Sequence, residues 1–244
     1  MSSFFGVRAR RILGAVGAAL VVGLLAPLGV IATAAPASAT VYDSSATPLK
    51  FTQAKRSAVS PVSATGTAVG DIMKYAGVAT IDGVVVDAII TTVAIDAATI
   101  NKYDEGSAVT SPPPGSSQSV DDLFMSNLTG SGSSLSMVTY NFTFYEGGTY
   151  TGPGTGVPVT LGNVSVNSYD IDGTGGVKQF IDFKGFQTYL TYSESSSKGL
   201  DLSDQGNGNV RFLTRDGSLN VSATSGSYSF SRVQVNYDQI SSFT

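Results

Sequence analysis

Val138, Tyr140, Phe142 and Phe144 alternate with Thr139, Asn141, Thr143 and Tyr145. An apolar side chain at every second position is the period of a β-strand with one buried face. It excludes an amphipathic helix, whose buried stripe recurs with the 3.6-residue turn. Val233, Val235 and Tyr237 alternate with Arg232, Gln234, Asn236 and Asp238 in the same way, and Val210–Thr214 and Tyr189–Ser193 are shorter stretches of this kind. Val84–Ile95 is nearly unbroken in apolar and β-branched residues, which predicts a strand covered on both faces in the middle of a sheet. No segment keeps a helical period for three turns, and no internal repeat is found.

Turn residues punctuate these runs. Asp82-Gly83, Asp172-Gly173 and Asp216-Gly217 read as hairpin turns, because glycine accepts the positive φ such turns demand. Gly147-Gly148 and Gly152-Pro153-Gly154 mark a further turn or loop. Asp104–Asp121, with Pro112-Pro113-Pro114-Gly115, reads as a long surface loop. Short strands spaced by turns predict an all-β fold: a two-sheet antiparallel β-sandwich, jelly-roll-like, of about ten strands.

The N-terminus follows a different rule. Arg8, Arg10 and Arg11 precede an apolar run from Ile12 to about Ala34, and Ala37-Ser38-Ala39 follows. That is the layout of a secretory signal peptide with its cleavage site. The run is also long enough to cross a bilayer, so an uncleaved anchor is the alternative. The expected organisation is a signal peptide at 1–39, a Ser/Thr/Pro-rich arm or linker at 40–68 with one short strand near Leu49–Thr52, and a β-sandwich at 69–244.

The 244 residues contain no Cys, His or Trp. A chain of this size buries enough surface to fold without disulfides, so export without cysteine implies a sizeable apolar core. Imidazole bases, thiol nucleophiles and histidine–zinc sites are excluded. The net charge is −4, and loss of the three leader arginines makes the remainder more acidic. That argues against nucleic acid and against an anionic membrane surface as partners. It leaves a secreted or cell-surface protein with room for a divalent cation.

Four aspartates are candidate ligands for that cation, a structural Ca²⁺. Asp170 and Asp172 flank Ile171 at a glycine turn, and Asp182 lies in the following strand. Calcium takes six to eight oxygens, and the twelve-residue calcium loop is absent, so an ordinary turn stands as the alternative. Asp87 lies inside Val84–Ile90, where an ionised carboxylate is costly unless it is paired or bound to metal. Glu146, Asp182 and Glu194 are the raw material for a carboxylate-only glycan hydrolase. Tyr145, Tyr150, Tyr169 and Tyr192, near turns and polar faces, are candidate sugar-stacking rings, with ordinary cross-strand packing as the other reading.

Three stretches carry a resemblance: Gly70–Tyr75 with Val84–Thr92; Asn141–Glu146 with Pro158–Leu161; and Tyr169–Gly173 with Phe180–Phe186. In that order, behind an Ala-rich leader of the high-GC Gram-positive (actinobacterial) kind, residues 69–244 resemble secreted or cell-surface β-sandwich domains found in adhesin-like bacterial proteins. The resemblance implies an extracellular structural or adhesive module, supplies no catalytic residues, and matches an acidic-turn pattern at Asp170 and Asp172. The expected function is therefore a non-enzymatic envelope or extracellular adhesion module. Its expected partners are an envelope or extracellular polymer, a glycan or a surface protein, with self-association open. The alternatives are a calcium-stabilised carbohydrate-binding module and the glycan hydrolase.

Overall fold

The computed structural model describes residues 40–59, 65–104, 122–130, 135–174, 176–192, 197–218 and 231–244. The leader at 1–39 and the Pro-rich loop at 105–121 lie outside the described residues. Within them the chain forms β1 (Val41–Asp43), β2 (Arg56–Ala58), β3 (Ile72–Ile81), β4 (Val84–Asp96), β5 (Ala98–Tyr103), β6 (Ser126–Gly130), β7 (Met137–Glu146) and β8 (Thr160–Ser168). These are followed by β9 (Gly173–Thr174), β10 (Val177–Lys178), β11 (Phe180–Lys184), β12 (Thr188–Thr191), β13 (Leu200–Gly206), β14 (Asn209–Thr214), β15 (Val233–Ile240) and β16 (Ser242–Phe243). The fold is all-β, and its sheets pack as a sandwich.

One sheet has the order β16-β7-β4-β3-β2, a second β1-β8-β15-β12 and a third β11-β14-β13, with β9-β10 and β5-β6 as two-stranded pairs. The expectation of about ten strands in two sheets is corrected here. The extra strands are two or three residues long, too short to leave a periodic pattern, and the third sheet splits off as a separate ladder. The pairing is antiparallel except that β1 runs parallel to β8.

β4 sits at the centre of the five-stranded sheet, as its unbroken apolar run predicts. Val86, Ala88 and Ile90 face inward beside Ala79, Tyr75 and Met73 of β3, with Phe144 and Phe142 of β7 on the other side. From the four-stranded sheet, Leu161, Val164, Val233, Val235 and Tyr237 join the same core, and Phe183 and Phe212 extend it to the third sheet. The chain changes layers at Ser241, whose carbonyl accepts the Phe144 N–H at 3.2 Å between β15 and β16.

Asp82 and Gly83, at φ 51° and 81°, make the two-residue turn of the β3–β4 hairpin as expected. Asp172-Gly173 is not the turn expected there. Gly173 pairs with Lys178 and Thr174 with Val177, so the turn falls three residues later, between Thr174 and Val177. Gly173 is instead needed because a Cβ there would collide with the Val177 and Asp216 carbonyls. Residues 40–58 also differ from an arm. β1 pairs with β8, β2 pairs with β3, and Leu49 and Phe51 pack against the core between them. The segment near Leu49–Thr52 docks by those side chains and by the N–H groups of Lys50 and Phe51, which donate to the carbonyls of Val78 and Asp122, without forming a strand.

Candidate functional site

β4 carries a buried carboxylate among its outward residues. Asp87 is 2% exposed. Its oxygens accept the N–H of Gly77 and of Gly148, each at 2.8 Å, and Lys74 Nζ lies 2.9 Å away. Burial alone would raise its pKa, but the Gly148 and Gly77 donors and the Lys74 ammonium outweigh burial and hold the carboxyl below its ordinary value. The same Lys74 donates to the Tyr150 carbonyl at 3.2 Å. The carboxylate thus ties the loop after β7 onto the outer face of the five-stranded sheet.

Asp182 stands opposite Arg211 in the β11–β14 ladder, and both its oxygens accept hydrogen bonds from that guanidinium at 2.8 Å. Asp170 follows β8 at φ 65°, and Asp172 is buried beside it. Desolvation of Asp170, then the charge of Asp172, push the Asp170 pKa up to about 6. The structure therefore brings Asp170 and Asp172 together and leaves Asp87 and Asp182 elsewhere, each held by a cation of the chain. Among the described residues no three His, Cys, Asp or Glu side chains gather as a metal site. Two carboxylates fall short of the six to eight oxygens calcium takes. Glu194 lies outside the described residues.

A second set of residues forms a surface. Outward positions of β8, β15 and β12 stand in rows fixed by the register. Asn167, Gln234 and Leu190 make one row, and Ser165, Asn236 and Thr188 the next. One step beyond the paired Ser168, Val233 and Thr191, the rows continue as Tyr169, Arg232 and Tyr192. The Arg232 guanidinium lies 5.6 Å from the Tyr169 ring centre and 5.2 Å from that of Tyr192, and its Nη2 donates to Tyr192 Oη at 3.3 Å. Asn236 knits the far row: Oδ1 accepts from Ser165 Oγ (2.7 Å) and Gln234 Nε2 (2.8 Å), and Nδ2 donates to Thr188 Oγ1 (3.0 Å).

This face is open to solvent. Tyr192 is 36% exposed and Leu190 45%. Strand rise and spacing give the three rows an extent of about 14 Å along the strands and about 10 Å across them. The rows combine aromatic rings, amides and hydroxyls on a rigid sheet. Amides and hydroxyls both donate and accept, and rings offer apolar faces, so the surface presents hydrogen-bonding groups of both senses beside apolar ones.

Of the four tyrosines singled out in the sequence, Tyr169 and Tyr192 meet on this face. Tyr145 and Tyr150 pair elsewhere, ring centres 4.8 Å apart, with Tyr150 buried within the loop after β7. Sequence reasoning treated Arg232, Gln234 and Asn236 only as the polar half of an alternation. Their spacing was the available signal. What it lacked was the pairing of β15 with β8 and β12, which lie far away in the chain.

No protein family matches this chain, and no curated protein matches it. Among solved structures, the N-terminal domain of the Streptococcus gordonii adhesin Sgo0707 is similar at TM-score 0.44 and 10% identity, covering 84% of this chain and 62% of that one. The chain thus spans less than two thirds of that structure, and at this distance neither function nor ligand transfers. Among the described residues no helix is long and apolar enough to cross a membrane.

Proposed function

We propose that this protein is an extracellular, non-enzymatic adhesion module that binds a saccharide polymer on the outer face of its four-stranded sheet. The observation that carries the reading is the Tyr169–Arg232–Tyr192 row continuing into the Asn236-centred network. Side chains on a sheet are held by the backbone ladder, so the face is ordered before any ligand arrives, which lowers the entropic cost of binding. Export by the N-terminal leader would place it outside the cell. The test is a glycan array followed by titration calorimetry on the hits, with Gln234→Ala and Asn236→Ala beside the parent. The expected result is saccharide binding that both variants weaken. Binding to no saccharide, or binding that neither variant alters, overturns the proposal.

A calcium ion at Asp170 and Asp172 is a separate proposal, supported by the mutual repulsion a cation would relieve. Saturating calcium at a hundred times its Kd would add about 2.7 kcal/mol of stability. Equal melting temperatures in calcium and in chelator would remove it.

A further inference from the structure

The arginines of the described residues divide unevenly. Arg211 pairs with Asp182 at 2.8 Å, Arg215 with Asp201 at 2.7 Å, and Arg56 faces Asp104 at 4.0 Å. Arg232 has no carboxylate partner among the described residues, in a chain whose acidic residues outnumber its basic ones 18 to 14. It is held instead by two tyrosine rings and one hydroxyl. Its Nε is buried without a hydrogen-bond partner. A guanidinium carries five donors in a planar fork, and here one of them is spent on Tyr192 Oη.

The surroundings sharpen the point. The other side chains in the three rows are neutral amides, hydroxyls, rings and one leucine. Among the described residues of β15, the acid in outward register is Asp238, beyond Asn236 and about 20 Å from Arg232 by strand rise, and the exposed Asp170 that follows Tyr169 makes no ion pair with the guanidinium. The outward row of β15 therefore runs from a cationic to an anionic position. Rings on both sides restrict the guanidinium before a ligand arrives, and that favours the bidentate geometry of a carboxylate.

We infer that the ligand of this face is an acidic saccharide, a uronate or sialate, whose carboxylate is received by Arg232 between Tyr169 and Tyr192. The inference rests on the saccharide reading above and adds its chemical class. The neutral sugar hydroxyls extend over Gln234 and Asn236, and the acid is kept from the Asp238 end by repulsion.

The experiment prints uronate- and sialate-bearing oligosaccharides beside their carboxyl-reduced counterparts and sulfated neutral ones. Binders are then titrated against the parent, Arg232→Gln and Arg232→Lys. The expected result is preference for a carboxylated member over its reduced partner. Arg232→Gln should weaken that binding about ten- to a hundredfold, the range for hydrogen bonds to a charged group. Arg232→Lys, which keeps the charge and loses the fork, should fall between. Should Arg232→Gln melt well below the parent, the ionic-strength dependence of the parent carries the test: acid binding weakens with salt and reduced-ligand binding does not. Equal affinity for an acid and its reduced partner, or binding of sulfated members alone, overturns the inference and leaves the saccharide reading standing. Binding to no saccharide overturns both.

Discussion

Removing the Asp87 carboxylate should be among the most damaging single changes in the five-stranded sheet. In Asp87→Ala the Lys74 ammonium, with a side chain 17% exposed, loses its partner at 2.9 Å, and the N–H groups of Gly77 and Gly148 lose their acceptors. Breaking a buried pair by removing one partner costs about 3–5 kcal/mol. Because Lys74 keeps some contact with water, we take about 4 kcal/mol. For a domain of this size that lowers the melting temperature by about 8–16 °C. Lys74→Met in the same chain should restore about 2 kcal/mol, since the uncompensated charge is gone, and the two orphaned amides account for the rest at about 1 kcal/mol each. Thermal and urea unfolding of the two single variants and the double variant measure this cycle. A cost below about 1 kcal/mol for Asp87→Ala, or a double variant no more stable than Asp87→Ala alone, would refute the assignment of this carboxylate as a structural tie.

Tyr75 donates to Asp104 Oδ2 at 2.7 Å inside the core, and burial together with Tyr103 and Asp104 pushes its own pKa up, so it stays a donor. Tyr75→Phe should cost about 1.5–3 kcal/mol by urea denaturation. Phe212 is fully buried where the third sheet meets the core, and Phe212→Ala should cost about 3–5 kcal/mol in the same assay. The pKa of Asp170 is raised from 3.8 to about 6, so the folded state holds its proton more tightly than the unfolded chain. Its contribution is therefore most favourable below about pH 4 and declines as pH climbs to about 6. Asp170→Asn, which tolerates the left-handed φ, should abolish that decline and melt higher than the parent at pH 7. Asp87, held below its ordinary value, acts in the opposite sense, and its stabilisation fades as pH falls through the acid range.

Periodicity revealed the strands that bury one face. β7 and β15 stand where their alternation placed them, and β4 is central because an unbroken apolar run needs cover on both sides. The two-residue strands β9, β10 and β16 were illegible, since two residues carry no period. β1 and β2 were hidden for another reason: edge strands among serines and threonines bury little, and their place is set by distant β8 and β3. The β13–β14 hairpin turns on Asn207-Gly208, at φ 54° and 74°, a strong turn dipeptide that was not among those singled out in the sequence. Asp87 was legible as a carboxylate in need of compensation, but Lys74 as its partner follows from the β3–β4 pairing. Arg232 carried no local sign of its surroundings, because the rings it packs between, Tyr169 and Tyr192, come from the ends of β8 and β12, distant in the chain.

The first and last strands belong to different layers, β1 to the four-stranded sheet and β16 to the five-stranded one. β16, however, pairs with β7 over two residues only, and β15 just before it shares a sheet with β1 through β8. A pull on the two ends would strip β16 first and then load the β1–β8 and β8–β15 ladders, so mechanical resistance falls to that one sheet.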